Sequence, residues 1–163
     1  MELSTGPLGL GLSAAQGMAL GARMDGRDFR TYVLLGDGEI QEGIVWEAAM
    51  SAAKFGLDNL TAILDYNKVQ LDGTTDEIMP LGDVRAKWES FGWHVIEIDG
   101  HKVEEIADAL DRAKAVKGRP TIIVARTVKG KGVSFMEGKN TWHGKPISRE
   151  EYEAAKAELG GGK

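Results

Sequence analysis

Short, uninterrupted apolar runs alternate with segments of helical periodicity along most of this chain, and that alternation constrains its fold more than any other feature. Thr31 to Leu35, Leu60 to Asp65, Trp93 to Ile98 and Pro120 to Ala125 each read as a strand. Before and between them, residues 8–24, Gln41 to Phe55, Val84 to Phe91 and Glu104 to Val116 read as helices, with Ile44, Ala48, Ala52 and Phe55, or Ile106, Ala109, Leu110 and Ala113, on one face. Strands that are apolar along their whole length are buried on both sides, and helices between them are the crossovers of a parallel sheet. The expected fold is α/β: an open, mainly parallel sheet with helices on both faces, formed by one domain over residues 1–159. Gly9, Gly11, Gly17 and Gly21 suit a first helix packed closely on another backbone. A polar loop runs to Pro80, a glycine-rich loop spans Lys129 to Lys145, residues 149–159 form a charged helix, and residues 160–163 read as a flexible tail.

Ligands of such sheets bind beyond the carboxyl ends of the strands. Gly36-Asp37-Gly38-Glu39 ends the first strand, and Asp65-Tyr66-Asn67-Lys68-Val69 ends the second, with Asn67 thirty positions after Asp37. Mg2+ takes about six oxygen ligands, usually one or two carboxylates completed by phosphate and water. Asp37 can give the carboxylate, Asn67 an amide oxygen and Val69 a backbone carbonyl, with a diphosphate filling further positions. Gly36 and Gly38 let the backbone approach that diphosphate, and a helix opening near Gln41 would aim free N–H groups at it. Gly-Asp-Gly alone also describes a strand-to-helix turn with a capping aspartate, and Asn67 alone a turn residue. Their shared position at neighbouring strand ends favours the metal–diphosphate reading. Asp37 and Glu39 do not suit an acid–base pair, since they share one turn and a metal role needs no raised pKa.

Composition excludes several other classes. A net charge of −5 gives no basic footprint for nucleic acid. With no cysteine there is no disulfide, thiolate metal site or cysteine nucleophile. No apolar run reaches the roughly 18 residues of a membrane span, and no secretory signal opens the chain, so a cytoplasmic protein is expected. No Gly-x-Gly-x-x-Gly opens a helix after a strand, which sets aside a dehydrogenase-type nucleotide site.

The strings Gly36-Asp37-Gly38-Glu39-Ile40-Gln41-Glu42-Gly43, Trp46-Glu47-Ala48-Ala49-Met50, Leu57-Asp58-Asn59-Leu60 and Asp65-Tyr66-Asn67-Lys68-Val69-Gln70-Leu71-Asp72-Gly73 resemble transketolase. The resemblance is to its thiamine diphosphate-binding N-terminal half, as in bacterial split transketolases. It extends from Ser4-Thr5-Gly6-Pro7-Leu8-Gly9 through Phe91-Gly92-Trp93-His94-Val95 to Trp142-His143-Gly144. It implies that Asp37, Asn67 and the Val69 carbonyl ligate Mg2+ (or Ca2+), and that Gly36, Gly38 and Glu39 lie among the residues at the diphosphate. By the same resemblance Gly6 and Leu8 lie near the aminopyrimidine, Leu71 packs on the cofactor, and His143 reaches both the diphosphate and the sugar substrate as a catalytic residue. Glu42 would sit at a subunit interface, although an acid there also suits the dipole of the helix it heads.

The same resemblance implies what this chain lacks. Family members begin upstream, with histidines in Gly-His-Pro and Lys-Gly-His contexts; here His94, His101 and His143 are the only histidines. The pyrimidine-binding domain, with the glutamate that activates the cofactor, is also absent. The chain is therefore expected to need a pyrimidine-domain (C-terminal) subunit for catalysis, with sugar phosphates bound only by the complete enzyme. The alternative is a minimal thiamine diphosphate-binding module with no activity of its own. Apolar surface left open by an upstream truncation would favour a homodimer. His94 reads as structural, His101 as a helix cap, and Lys129, Lys131 and Lys139 as a solvated loop.

Overall fold

The computed structural model describes residues 2–160. Four parallel strands form its sheet in the order β1 (Thr31–Gly36), β2 (Leu60–Tyr66), β6 (Thr121–Arg126), β5 (His94–Asp99). Helices α1 (Leu10–Met24), α2 (Gly43–Lys54), α4 (Val84–Ser90) and α5 (Val103–Ala115) surround it, and α6 (Arg149–Gly160) closes the chain. The parallel α/β fold is thus the one expected from the alternation of apolar runs and helices. The register pairs Leu35 with Leu64 and Gly36 with Asp65, and sets Leu64 against Val124. This register places the residues after Gly36 and those after Asp65 side by side at the same edge.

One face of the sheet carries the larger core. Leu12, Ala15 and Ala19 of α1 and Val45, Ala48, Ala49 and Ala52 of α2 pack with Val33, Leu35, Ala62, Leu64, Ile122 and Val124. Alanines at these helix positions bring the helix backbones close to the strands, while each fully buried leucine contributes about 1.5–3 kcal/mol. Trp88 and Trp93 are fully buried beside them, with ring centroids 5.0 Å apart, and Trp46 stacks 4.9 Å from Trp88 and 4.9 Å from Phe91. The Trp93 indole N–H is satisfied by the Ala49 carbonyl at 3.0 Å. On the second face, Ala109 and Ala113 of α5 cover Ile96, Ile98, Ile123 and Ala125, with Ile63 at the margin of the cluster.

That second face is not covered throughout, contrary to the expectation from continuous apolar runs. β1 is an edge strand whose residues alternate, and Tyr32 and Leu34 are 43% and 69% exposed. α5 lies over β5 and β6, too far along the sheet to cover β1. Only β6, in the middle of the sheet, shows the unbroken burial expected of every strand, from Thr121 to Ala125.

Three local expectations also change. The polar stretch before Pro80 holds a hairpin, β3 (Val69–Gln70) with β4 (Gly73–Thr74), and a short helix α3 (Thr75–Ile78). Thr74 and Glu77 form a capping box at the start of α3, a pattern legible as Thr-x-x-Glu. The helix expected near Gln41 opens instead at Gly43, after a separate 3-10 turn at Glu39–Gln41. Of the expected tail 160–163, Gly160 ends α6 and residues 161–163 lie outside the described residues.

The glycines of α1 divide into two kinds. Gly9 caps the helix at φ 84°, and a Cβ there would lie 2.5 Å from Ile44 Cγ2. Gly17 and Gly21 have no atom within 4 Å of an added Cβ, so the close backbone packing expected of them is not present. Gly9→Ala is expected to destabilise by about 1–2 kcal/mol from the left-handed backbone alone, with the clash added. Gly17→Ala in the helix interior is expected to stabilise by about 0.5–1 kcal/mol. Chemical denaturation of the two variants checks the opposite signs.

Candidate functional site

Asp37 leaves β1 directly after Gly36 and is 1% exposed, the most deeply buried carboxylate among the described residues. It accepts a hydrogen bond from the Gly38 amide at 2.8 Å and a short one from the Lys68 amide across the gap between the strand ends. Asn67 stands next to that donor, and its Oδ1 accepts from the Val69 amide at 2.9 Å, which turns the chain back into the hairpin. Lys68 achieves this with φ 63°, the only left-handed non-glycine among the described residues. Such a conformation costs about 1–3 kcal/mol and persists only where neighbouring contacts over-determine it.

A second set of contacts holds these groups in place. Gln41 donates to the Gln70 side chain at 2.8 Å and to the Met79 carbonyl at 2.9 Å, joining the turn after Gly38 to the hairpin. A Cβ on Gly38 would lie 3.1 Å from Gln70 Cβ, so a larger residue there would push the hairpin away. The Trp46 indole donates to the Ile40 carbonyl at 2.9 Å and anchors the same turn to the aromatic cluster. Glu39 directs its carboxylate to backbone: it accepts from Gly9 at 2.8 Å and from Gly36 at 3.0 Å. Asp65 accepts from the Thr127 hydroxyl, tying the end of β2 to the residue after β6.

The remaining expected residues lie on segments that these contacts connect. Leu71, at the hairpin tip, is 62% exposed, and its carbonyl accepts from Asn140 at 3.2 Å. Asn140 opens the 3-10 turn Asn140–Trp142 that precedes His143, whose side chain is exposed. That loop is folded on itself: Trp142 stacks with Phe135 at 5.4 Å, donates to the Phe135 carbonyl at 3.0 Å, and lies under the Lys145 ammonium at 4.1 Å. Gly6 and Leu8 sit on the exposed segment before Gly9, with open space around Gly6. Glu42 is exposed at the head of α2, and its side chain makes no capping hydrogen bond. His101, expected as a helix cap, does something else: its Nε2 accepts from the Val128 amide at 2.8 Å, while Lys102 precedes α5. The contacts of Glu39, Gln41, Trp46 and His101 have no signal in the sequence. They join segments that the fold brings together, and no local pattern announces such a pair.

The donor set is all oxygen. Among the described residues, no group of three or more His, Cys, Asp or Glu comes together as a metal site. One buried carboxylate, an amide oxygen and a carbonyl suit a hard cation such as Mg2+ only when phosphate supplies further oxygens.

Burial raises the Asp37 carboxyl above the ordinary aspartate range, and the Asp65 carboxylate adds to this; the Lys68 and Gly38 amides act in the opposite direction. The folded chain thus holds this proton more tightly than the unfolded chain. Ionising Asp37 lowers stability as pH rises from about 4 through the raised folded value, and above that value the whole loss is present. Asp37→Asn has no such proton. Its stability relative to the parent is expected to increase as pH rises from about 4 through the raised folded value without divalent metal, read from thermal melts. A difference independent of pH would contradict the environment described for Asp37.

Comparison with known proteins gives the family. The family model described as "Transketolase, thiamine diphosphate binding domain" matches residues 1–162. The chain is 50% identical over 159 residues to the 6-deoxy-6-sulfo-D-fructose transketolase subunit SqwG of Clostridium sp. (strain MSTE9), covering 98% of this chain and 58% of that protein. It is 45% identical over 159 residues to an apulose-4-phosphate transketolase subunit of Phocaeicola vulgatus, covering 98% and 57%. The chain therefore spans somewhat more than half the length of these relatives. Human transketolase is 45% identical over 149 residues, 91% of this chain and 23% of that one. The crystal structure of the Campylobacter jejuni transketolase superposes with a TM-score of 0.92 at 36% identity, over 98% of this chain and 26% of that chain. By fold and by sequence, this chain belongs to the thiamine diphosphate-binding domain family of transketolases.

Proposed function

We propose that this chain is the diphosphate-binding half of a transketolase and acts with a pyrimidine-domain chain. The observation that carries the reading is the buried Asp37 carboxylate, held between two strand ends by the Lys68 and Gly38 amides with Asn67 beside it. Asp37, Asn67 and the Val69 carbonyl hold Mg2+ (or Ca2+), and Gly36 and Gly38 present backbone to the diphosphate. Gly6 and Leu8 form the wall at the aminopyrimidine, and Leu71 packs on the cofactor. When bound, thiamine diphosphate supplies the nucleophilic carbon that moves a two-carbon ketol unit from a ketose phosphate to an aldose phosphate. His143 orients the diphosphate and the sugar from the loop that Asn140 ties to Leu71. Glu42, exposed and free of a capping role, extends into a subunit contact.

Two relatives are named as subunits, which supports a separate partner chain here. The reading keeps the cytoplasmic location expected from the sequence. No helix among the described residues is long and apolar enough to cross a membrane. A homodimer is part of the reading, supported by the open apolar surface around Leu8, Met18, Phe29, Tyr32 and Leu34.

Mixing the chain with a pyrimidine-domain partner, thiamine diphosphate, Mg2+ and a ketose–aldose phosphate pair is expected to give two-carbon transfer that neither chain gives alone. Cofactor binding without transfer in the mixture would favour the binding-module alternative. Asp37→Ala is expected to weaken Mg2+-dependent cofactor binding at least tenfold, about 1.4 kcal/mol; unchanged affinity would remove the metal assignment. Light scattering at micromolar concentration is expected to return a dimer mass, and a monomer mass would contradict the dimer.

A further inference from the structure

Glu39 lies between the two walls of the site. One carboxylate oxygen accepts from the Gly9 amide at 2.8 Å and the other from the Gly36 amide at 3.0 Å. Gly36 belongs to the diphosphate wall. Gly9 is where the segment carrying Gly6 and Leu8 meets the core: residues 2–8 are exposed, Gly9 is buried, and α1 begins at the next residue. Gly9 is held at φ 84° with no room for a side chain against Ile44, so its amide has a fixed direction. No side chain caps α1 from its own sequence, and the acceptor comes instead from thirty residues away. Resting on the reading above, we propose that Glu39 is a positioning residue that locks the aminopyrimidine wall to the diphosphate wall, setting the span between the two ends of the cofactor without touching the reacting atoms.

The chemistry of the acceptor explains why an acid is needed. A carboxylate is acceptor-only and offers an oxygen to each amide, and hydrogen bonds to an ionised acceptor are roughly twice as strong as neutral ones. A glutamine has the same shape but one oxygen; its NH2 would face one of the two N–H groups. Glu39→Gln therefore breaks one side of the clamp without leaving a cavity.

Two measurements on Glu39→Gln test the proposal. Amide hydrogen exchange without ligand is expected to quicken at the amide that faces the new NH2, Gly9 or Gly36, with β2 and β6 unchanged. In calorimetry with Mg2+, thiamine diphosphate affinity is expected to fall at least about tenfold, and by more than the affinity for inorganic diphosphate, which fills only one wall. Unchanged exchange at both Gly9 and Gly36 overturns the proposal, as does a general rise that includes β2 and β6. Equal loss for both ligands also overturns it, because Glu39 would then only shape the diphosphate turn. If the parent binds neither ligand, the proposed function fails separately, and exchange at Gly9 and Gly36 alone decides whether the clamp exists.

Discussion

The Asp37 carboxylate, accepting amide hydrogen bonds from two strand ends, is the interaction on which the site depends. The parallel register sets Gly36 beside Asp65, so the chain emerging from β1 and the chain emerging from β2 leave the sheet as neighbours. Their separation would otherwise be free to vary. A buried carboxylate that accepts from both Gly38 and Lys68 bridges the two, and Asn67 beside Lys68 accepts from the Val69 amide. The aromatic cluster of Trp46, Trp88, Phe91 and Trp93 supports the turn from below, through the indole bond from Trp46 to Ile40.

This arrangement carries an energetic cost. A carboxylate is nearly removed from water with another carboxylate nearby, and a lysine is held in a left-handed conformation. Both features oppose folding, and the surrounding core has to offset them. A divalent cation bound at Asp37 would relieve the buried charge, so ligand binding and local stability are linked at one residue. Departures from local preference of this kind concentrate where a protein binds or reacts.

Much of this is legible in the sequence. The four apolar runs mark the strands to within one residue at either end. That Asp37 and Asn67 come close together is legible because they follow neighbouring strand ends, where an α/β sheet binds ligands. What stays hidden depends on distance or on missing cover. Glu39 reads as an ordinary turn acid until Gly9, thirty residues earlier, is placed beside it. His101 reads as a cap until the end of β6 arrives at its ring. Tyr32 and Leu34 belong to a continuous apolar run, yet their outward faces are open because α5 crosses over other strands. Gly17 and Gly21 read as close-packing residues, which requires a neighbouring surface that the described residues do not supply. The capping box at Thr74 and Glu77 is readable from spacing alone, although the surrounding polar stretch suggests only a loop.

Under the proposed function, the two strand ends joined through Asp37 form a metal-dependent diphosphate site within this chain. Calorimetric titration of the chain with thiamine diphosphate, with Mg2+ and then with a chelator, tests it most directly. Saturable one-site binding that requires Mg2+ is the predicted result. Binding that is indifferent to the metal, or no binding with Mg2+ present, would contradict the claim.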